Sequence, residues 1–233
     1  MGFTWLILGP LLMVVLYTLI FSQIIGLRFQ HTDSVSNFGL YVYCGLLPFL
    51  AFSETLIPSV KSIRSNAGLV QRVVFPLEIL PISMASTAYI TQFFGFGVLI
   101  ILVALLEHGL HWTLLLLPIV AVPQLLFLLG LSYLASVAGA YLPDLREVVQ
   151  ALVRALLFAL PIFWPPDRIP DSFRFIVDYN PLAFLVIAYR NLVLEGRLPD
   201  VTLLLWFTLF ATALMVAGLA LFLRAKKRFA DLI

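Results

Sequence analysis

Long apolar runs separated by short polar connections dominate the chain. A helix crossing the hydrocarbon core of a bilayer needs roughly 20 mostly apolar residues. Six runs point to such helices, near residues 4–27, 38–60, 79–106, 113–139, 148–164 and 201–223. The pattern predicts an all-α membrane protein of six transmembrane helices in a single transmembrane domain, residues 1–233. The first run has no basic segment before it, no small-residue cleavage site after it, and too great a length for a signal-peptide core. It therefore reads as a retained span. The fifth run is short and ends among Pro161, Pro165 and Pro166. A proline lacks the amide hydrogen a helix needs, so the helix is expected to stop or kink there.

The stretch 165–200 is too polar to span and too apolar for a free loop. Asp171 is expected to cap a short helix through Val177. Asn180 followed by Pro181 is a good N-cap and first-turn pair for a second one at 182–194. Together they predict a short re-entrant helical hairpin, 171–194, on the outer side before the last span. Two amphipathic helices lying flat on the interface are the alternative.

Composition agrees with lipid as the solvent. Of 233 residues, 62% are hydrophobic and 11% charged, whereas a soluble domain is about a quarter charged. The net charge of +2 implies no nucleic-acid partner. The placement of the charges matters more. Lys61, Arg64 and Arg72 sit in the connection 61–78, and Arg224, Lys226, Lys227 and Arg228 in the tail, while 107–112 holds no Lys or Arg. Cytoplasmic loops carry the excess of Lys and Arg, so both termini are expected in the cytoplasm. Arg28, Arg168, Arg174, Arg190 and Arg197 fall on the outer side and oppose this. The last four are mixed with Asp167, Asp171, Asp178, Glu195 and Asp200. The lone Cys44 cannot form an intramolecular disulfide.

Little points to chemistry. There is no G-x-x-x-x-G-K-S/T phosphate loop, no CxxC and no HExxH. Glu107, His108 and His111 form a weak candidate metal cluster, more simply read as a solvated loop. No catalytic set is visible, and the chain is not expected to be an enzyme. Glu54 is a carboxylate well inside a span, costing on the order of 3 kcal/mol at mid-membrane. Either it marks a function, or water, Ser53 or Thr55 satisfies it beside a helix break at Pro48 or Pro58. Arg154 lies near enough to a helix end to snorkel. Phe3, Trp5, Tyr17 and Phe21 on the first span, with Phe158, Phe163 and Trp164 on the fifth, are candidates to line a channel. Aromatic faces suit the C–H faces of sugar rings; packing against lipid or core is the alternative for each.

The connection after the second span predicts a short helix. Asn66 is its expected cap, and Leu69, Val70, Val73 and Val74 give an apolar stripe with Arg72 beside it before Pro76 ends it. Such a helix is either a lever for a cytoplasmic partner or a membrane-surface helix.

Several patches resemble one family. They are Gly45-Leu46-Leu47-Pro48-Phe49, Phe52-Ser53-Glu54-Thr55-Leu56, Asn66, Leu69-Val70-Gln71-Arg72-Val73 and Phe75-Pro76-Leu77-Glu78-Ile79-Leu80-Pro81. Further along come Pro161-Ile162-Phe163-Trp164-Pro165, Ile169-Pro170, Tyr179-Asn180-Pro181-Leu182 and Tyr189-Arg190. In this order they look like the permease subunit of type-2 ABC exporters of cell-envelope polysaccharide, such as O-antigen, capsule or teichoic acid. The resemblance covers nearly the whole chain.

The resemblance implies a homodimer in the bacterial inner membrane, over two copies of a separate ATPase that binds the ATP and Mg. The chain itself then needs no cofactor. The segment 66–74 becomes a coupling helix, with Asn66, Leu69, Val70, Arg72 and Val73 at the ATPase. The turn 140–147, with Asp144 and Arg146, becomes a second contact. The first and fifth spans line the channel, the outer hairpin caps the exit, and the substrate is a lipid-linked glycan. Two departures stand out. The family's basic interface helix is expected before the first span, yet Met1 stands just ahead of Gly2-Phe3-Thr4-Trp5: either that helix is absent, the chain is truncated, or the start codon is misassigned; and Pro143-Asp144 replaces a common Arg-Asp. An ABC permease for a drug or another lipid is the alternative. A membrane-embedded enzyme of lipid or glycan metabolism is more distant, because the acids of 165–200 are scattered.

Overall fold

The computed structural model describes residues 12, 15–16, 35–71, 76–106, 109–166 and 169–229. Apart from Leu12, Val15 and Leu16, the run at 4–27 lies outside the described residues. So do Phe3, Trp5, Tyr17 and Phe21.

Every regular element among the described residues is helical. They are α1 (Val35–Lys61), α2 (Ala67–Val70), α3 (Ile79–Leu106), α4 (Leu117–Tyr141), α5 (Leu145–Ala159), α6 (Phe175–Asp178), α7 (Pro181–Arg190) and α8 (Val201–Ala225). Short 3-10 turns precede α2, α4 and α6 and follow α8, and a π turn extends α7. Four stretches are long and apolar enough to cross a membrane: Phe38–Lys61, Ile79–Leu106, Trp112–Tyr141 and Val201–Arg228. They coincide closely with four of the six predicted spans.

The fifth predicted run behaves differently. Its helix, α5, has 15 residues, about 22 Å at 1.5 Å per residue, against roughly 30 Å of hydrocarbon. It stops at Ala159, ahead of Pro161 as expected. The chain then turns tightly, with the Ile162 amide donating to the Leu160 carbonyl at 2.7 Å. The helix is amphipathic: Val153 is buried, while Val148, Leu152 and Phe158 are exposed together with Glu147 and Arg154.

The described residues fall into two compact units. In the unit of Leu50–Ile90, Ile119–Leu157 and Thr202–Ile233, hydroxyls and missing side chains hold the helices together. Ser132 Oγ donates to the Pro81 carbonyl at 2.8 Å and lies 2.6 Å from Ser59 Oγ. One turn on, Ser62 Oγ and Ser136 Oγ are 2.8 Å apart. In lipid there is no apolar driving force between helices, so close packing and such bonds replace it. At Gly139 a Cβ would stand 1.8 Å from the Val60 carbonyl oxygen, so glycine is required there. Gly130 and Gly218 allow the same approach of α4 to α8.

Arg64 seals the end of α4. Its Nε donates to the Gly139 carbonyl at 3.2 Å and its Nη2 to the Ala140 carbonyl at 2.8 Å, two acceptors the helix end leaves open. Ile63, Val70, Leu80, Tyr133, Ala140, Phe222 and Phe229 form a buried cluster. The Tyr133 and Phe222 rings meet edge to face at 5.3 Å, and Phe222 and Phe229 at 5.4 Å.

In the unit of Met1–Phe49, Thr91–Pro118 and Phe158–Val201, Tyr43 Oη donates to the Gly95 carbonyl at 3.2 Å. The rings of Phe96 and Tyr189 lie 4.5 Å apart.

Gly139→Ala is expected to force α1 and α4 apart and to cost about 1–3 kcal/mol, the usual penalty of overpacking. Ser59→Ala is expected to cost only about 0.6 kcal/mol, as for other intramembrane hydrogen bonds. Thermal unfolding in mild detergent ranks the two. A Gly139→Ala protein that melts with the wild type contradicts the close approach.

Candidate functional site

The unit holding residues 158–201 is organised by α7. Its N-terminus forms where the sequence pattern placed it: Asn180 Oδ1 accepts from the Leu182 amide at 2.9 Å, and Pro181 fills the first turn. Leu182, Ala183, Leu185, Val186, Ala188 and Tyr189 are all buried, so the helix sits inside the unit. The α-geometry ends at Arg190 and not at 194. A π turn, Asn191–Glu195, follows, and Gly196 ends it in the left-handed region at φ 64°. π turns leave backbone groups off the regular ladder. Here the Leu192 carbonyl accepts from Thr113 Oγ1 at 2.6 Å, and both residues are buried.

Arg190 stands where α becomes π, and it is 2% exposed. Its Nε donates to the Tyr41 carbonyl at 3.1 Å, Nη2 to the Ile162 carbonyl at 2.7 Å, and Nη1 to the Pro161 carbonyl. Its Cζ lies 3.5 Å from the centre of the Tyr41 ring. Among the described residues no carboxylate lies within ion-pair distance; Glu195 acts on the cation from farther off, and main-chain dipoles and a ring face replace water around it. Gly45 provides the room: a Cβ there would stand 2.5 Å from Nη2. The turn that ends α5 is thereby tied to α1. Sequence reasoning flagged Arg190 only as an outer-side charge and as part of a resembling patch.

The same turn carries three of the channel-lining candidates. Phe158 is 71% exposed, Phe163 is buried, and their rings are 6.2 Å apart. Trp164 is half-buried, and its Nε1 donates to the Phe158 carbonyl at 3.2 Å. The four candidates of the first span fall outside the described residues, so the structure brings together only these three.

Before α7 the first short helix is assembled differently from the prediction. Asp171 does not cap it. The chain enters through Pro170, Asp171 opens a 3-10 turn, and its exposed carboxylate lies 3.6 Å from the Arg174 guanidinium. The α-geometry covers Phe175–Asp178 alone. Phe173, Phe175 and Tyr179 are exposed on this segment.

The other unit carries the predicted lever. Asn66 is not an N-cap. Ile63 and Ala67 are both already right-handed helical, so no extended residue exists where a cap must sit. Asn66 Nδ2 donates instead to the Ser62 carbonyl at 2.8 Å, one turn back. The regular helix covers Ala67–Val70, and Val70 is buried in the cluster with Ile63, Leu80 and Phe222. Val70 thus seats the segment and is not on an open face. Arg72 and Val73 lie outside the described residues, as does the side chain of Leu69.

Beyond Pro76, Glu78 pairs with Lys226. The hydrogen bond from Lys226 holds the Glu78 carboxyl below its usual range. Asp144 is exposed just before α5, and Arg146 in its first turn is half-buried.

Glu54 is exposed on α1. Neither neighbour serves it: Ser53 Oγ donates to the Leu50 carbonyl at 3.1 Å, and Thr55 Oγ1 is buried without a partner. Arg154 is exposed, its Nε donating to the Gln150 carbonyl at 3.3 Å. Glu107 and His108 lie outside the described residues, and His111 packs on Gly196. Among the described residues no three metal-ligating side chains converge.

Comparison with known proteins adds the context this geometry lacks. Residues 1–194 match the profile of the family described as ABC-2 type transporter. An O-antigen export system permease protein, RfbA, of Klebsiella pneumoniae is 29% identical over 236 residues, covering all of this chain and 87% of the relative. A protein of the same name from Myxococcus xanthus is 27% identical, covering 99% and 87%. The polysialic acid transport protein KpsM of Escherichia coli is 26% identical, covering 95% and 85%.

The Glu78–Lys226 pair predicts a pH signature. Because the folded-state pKa of Glu78 is depressed, its stabilisation is complete above the free value of 4.5 and is lost as pH falls through the lower folded value. Both side chains are partly exposed, so the pair contributes only about 0.2–1 kcal/mol. Lys226→Met is expected to lower the thermal midpoint by about 1–3 °C at neutral pH. That gap should close in acid and shrink in high salt. A gap that persists unchanged at low pH contradicts the ion pair.

Proposed function

Because the chain belongs to the ABC-2 type transporter family, we propose that it is the membrane subunit of an exporter that carries a lipid-linked polysaccharide across the bacterial inner membrane. The observation that carries this reading is the end-to-end likeness to O-antigen export permeases. It spans the outer helical segment and the coupling segment alike, and is not confined to a generic set of apolar helices.

ATP hydrolysis belongs to a separate ATPase, which binds the ATP and Mg; this chain supplies the path. Two copies of the chain pair above two copies of the ATPase. Each has six spans, made of the four long helices, the run at 4–27, and α5 continued through the aromatic turn. The segment 171–194 re-enters the membrane from the outer side, and both termini are cytoplasmic. Exposed Phe158 and half-buried Trp164 fit sugar rings, whose C–H faces pack on aromatic faces while their hydroxyls stay hydrated. Phe3, Trp5, Tyr17 and Phe21 extend the same lining. An exposed Glu54 fits a wet path better than lipid.

The coupling segment 66–74 receives the ATPase through Leu69, Arg72 and Val73, with Asp144 and Arg146 as a second contact. Its inner side is anchored by Val70 and Arg64, so a push on the outer side moves α1 and α4 together. Short, well-seated levers transmit force because packed interiors repack between discrete states and do not deform smoothly.

The test is expression with the neighbouring genes and purification in mild detergent. An equimolar ATPase is expected to co-purify, and cells lacking the chain are expected to retain surface glycan inside. Leu69→Asp with Val73→Asp is expected to cut export by at least about tenfold, a loss of roughly 1.4 kcal/mol or more of coupling. The spans should stay intact. Normal export by that variant removes the lever from the mechanism. Purification of the chain alone from several detergents removes the exporter reading itself.

A further inference from the structure

We infer that Arg190, in the space left by Gly45, is the positioning residue of the transport path. It locks the turn 160–164 onto α1 and so fixes where Phe158, Phe163 and Trp164 stand. The role in transport rests on the export reading above; the lock itself does not.

Three observations converge on it. First, the guanidinium is buried and its acceptors are main-chain carbonyls from two separate segments, Tyr41 on α1 and Pro161 and Ile162 in the turn. Pro161 and Ile162 lie beyond the end of α5 at Ala159, so their two carbonyls have no helical donor. Without the fork these two buried carbonyls lose the donors that satisfy them. Second, the site is fitted on both sides. The Tyr41 ring covers one face of the cation at 3.5 Å, and Gly45 is the residue without which Nη2 has no room. Third, Arg190 lies at the α-to-π junction, whose displaced Leu192 carbonyl is held by Thr113. A junction between two helical registers is a place where a helix can shift by a residue.

Apolar burial holds the turn as well, but burial alone does not fix its direction. Leu160 and Ile162 are fully buried, but Phe158 projects outward, and the bond from Trp164 to the Phe158 carbonyl is local to the turn. Among the described residues the planar fork reaches two carbonyls in the turn and one on α1 at once. Lysine keeps the charge but offers a compact point donor, so it cannot reproduce the arrangement.

The experiment is thiol labelling of the intact protein, with its ATPase, in a Cys44→Ala background. Ile162→Cys reports on the turn. Val120→Cys, equally buried in α4, reports on global opening. Adding Arg190→Lys is expected to raise maleimide labelling at 162 by about tenfold or more, as local opening does. Labelling at 120 should not change. Glycan export by Arg190→Lys should fall severalfold while the ATPase still co-purifies. If Arg190→Lys does not fold, Gly45→Ala takes its place, since its added methyl displaces Nη2 while leaving the charge.

Unchanged labelling at 162, or an equal rise at 120, overturns the lock. Raised labelling at 162 with normal export overturns its role in transport. Should the wild type export no glycan at all, the export reading has failed, and the labelling alone decides whether the lock exists.

Discussion

A cation buried in an apolar setting must be surrounded by fixed dipoles, because a desolvated charge is otherwise too costly to keep. Arg190 meets that demand with two carbonyls of the turn beyond α5 and with one on α1. The demand constrains everything near it. Tyr41 must present a carbonyl and a ring face, position 45 must lack a side chain, and α5 must end early enough to offer Pro161 and Ile162. A helix break is usually a weakness in a membrane protein, since free backbone groups find no water there. Here the break is where the guanidinium binds, so one residue satisfies the loose acceptors of another segment and is itself solvated by them.

The second unit solves the same problem by different means. Among its described residues no cation is buried between the helices. Serine hydroxyls bridge α1, α3 and α4, and glycines bring backbones into contact, so adhesion is spread over many weak contacts. Arg64 performs at the end of α4 the capping that Arg190 performs at the turn, but at a half-buried position where water shares the load.

The legible part of this fold was the part set by length and hydropathy. The runs at 38–60, 79–106, 113–139 and 201–223 reappear as helices because lipid enforces them whatever the tertiary context. Asn180–Pro181 was legible because an N-cap is a local device. Asn66 offered the same local signal and failed. The chain arrives there already helical, and an amide that finds a carbonyl one turn back has no reason to cap. Asp171 failed for a related reason: Pro170 had already set the entry, and Arg174 drew the carboxylate away. The function of Arg190 was hidden for a different reason. Its partners lie 149, 29 and 28 residues away, and all are main-chain oxygens that leave no trace in side-chain identity.

That difference bears on how a conduit for large, hydrated chains is built from so apolar a sequence. Side chains that touch a polymer of sugars need breadth more than charge, so aromatic residues serve, and their positions must be controlled from behind. A charged residue behind the lining sets the geometry without touching the cargo. Arg190 is withdrawn in this way: buried, bonded to the Pro161 and Ile162 carbonyls just before Phe163 and Trp164, and stacked on the Tyr41 ring of α1. The charge rarest in such a setting is thereby placed where it specifies the shape of the turn.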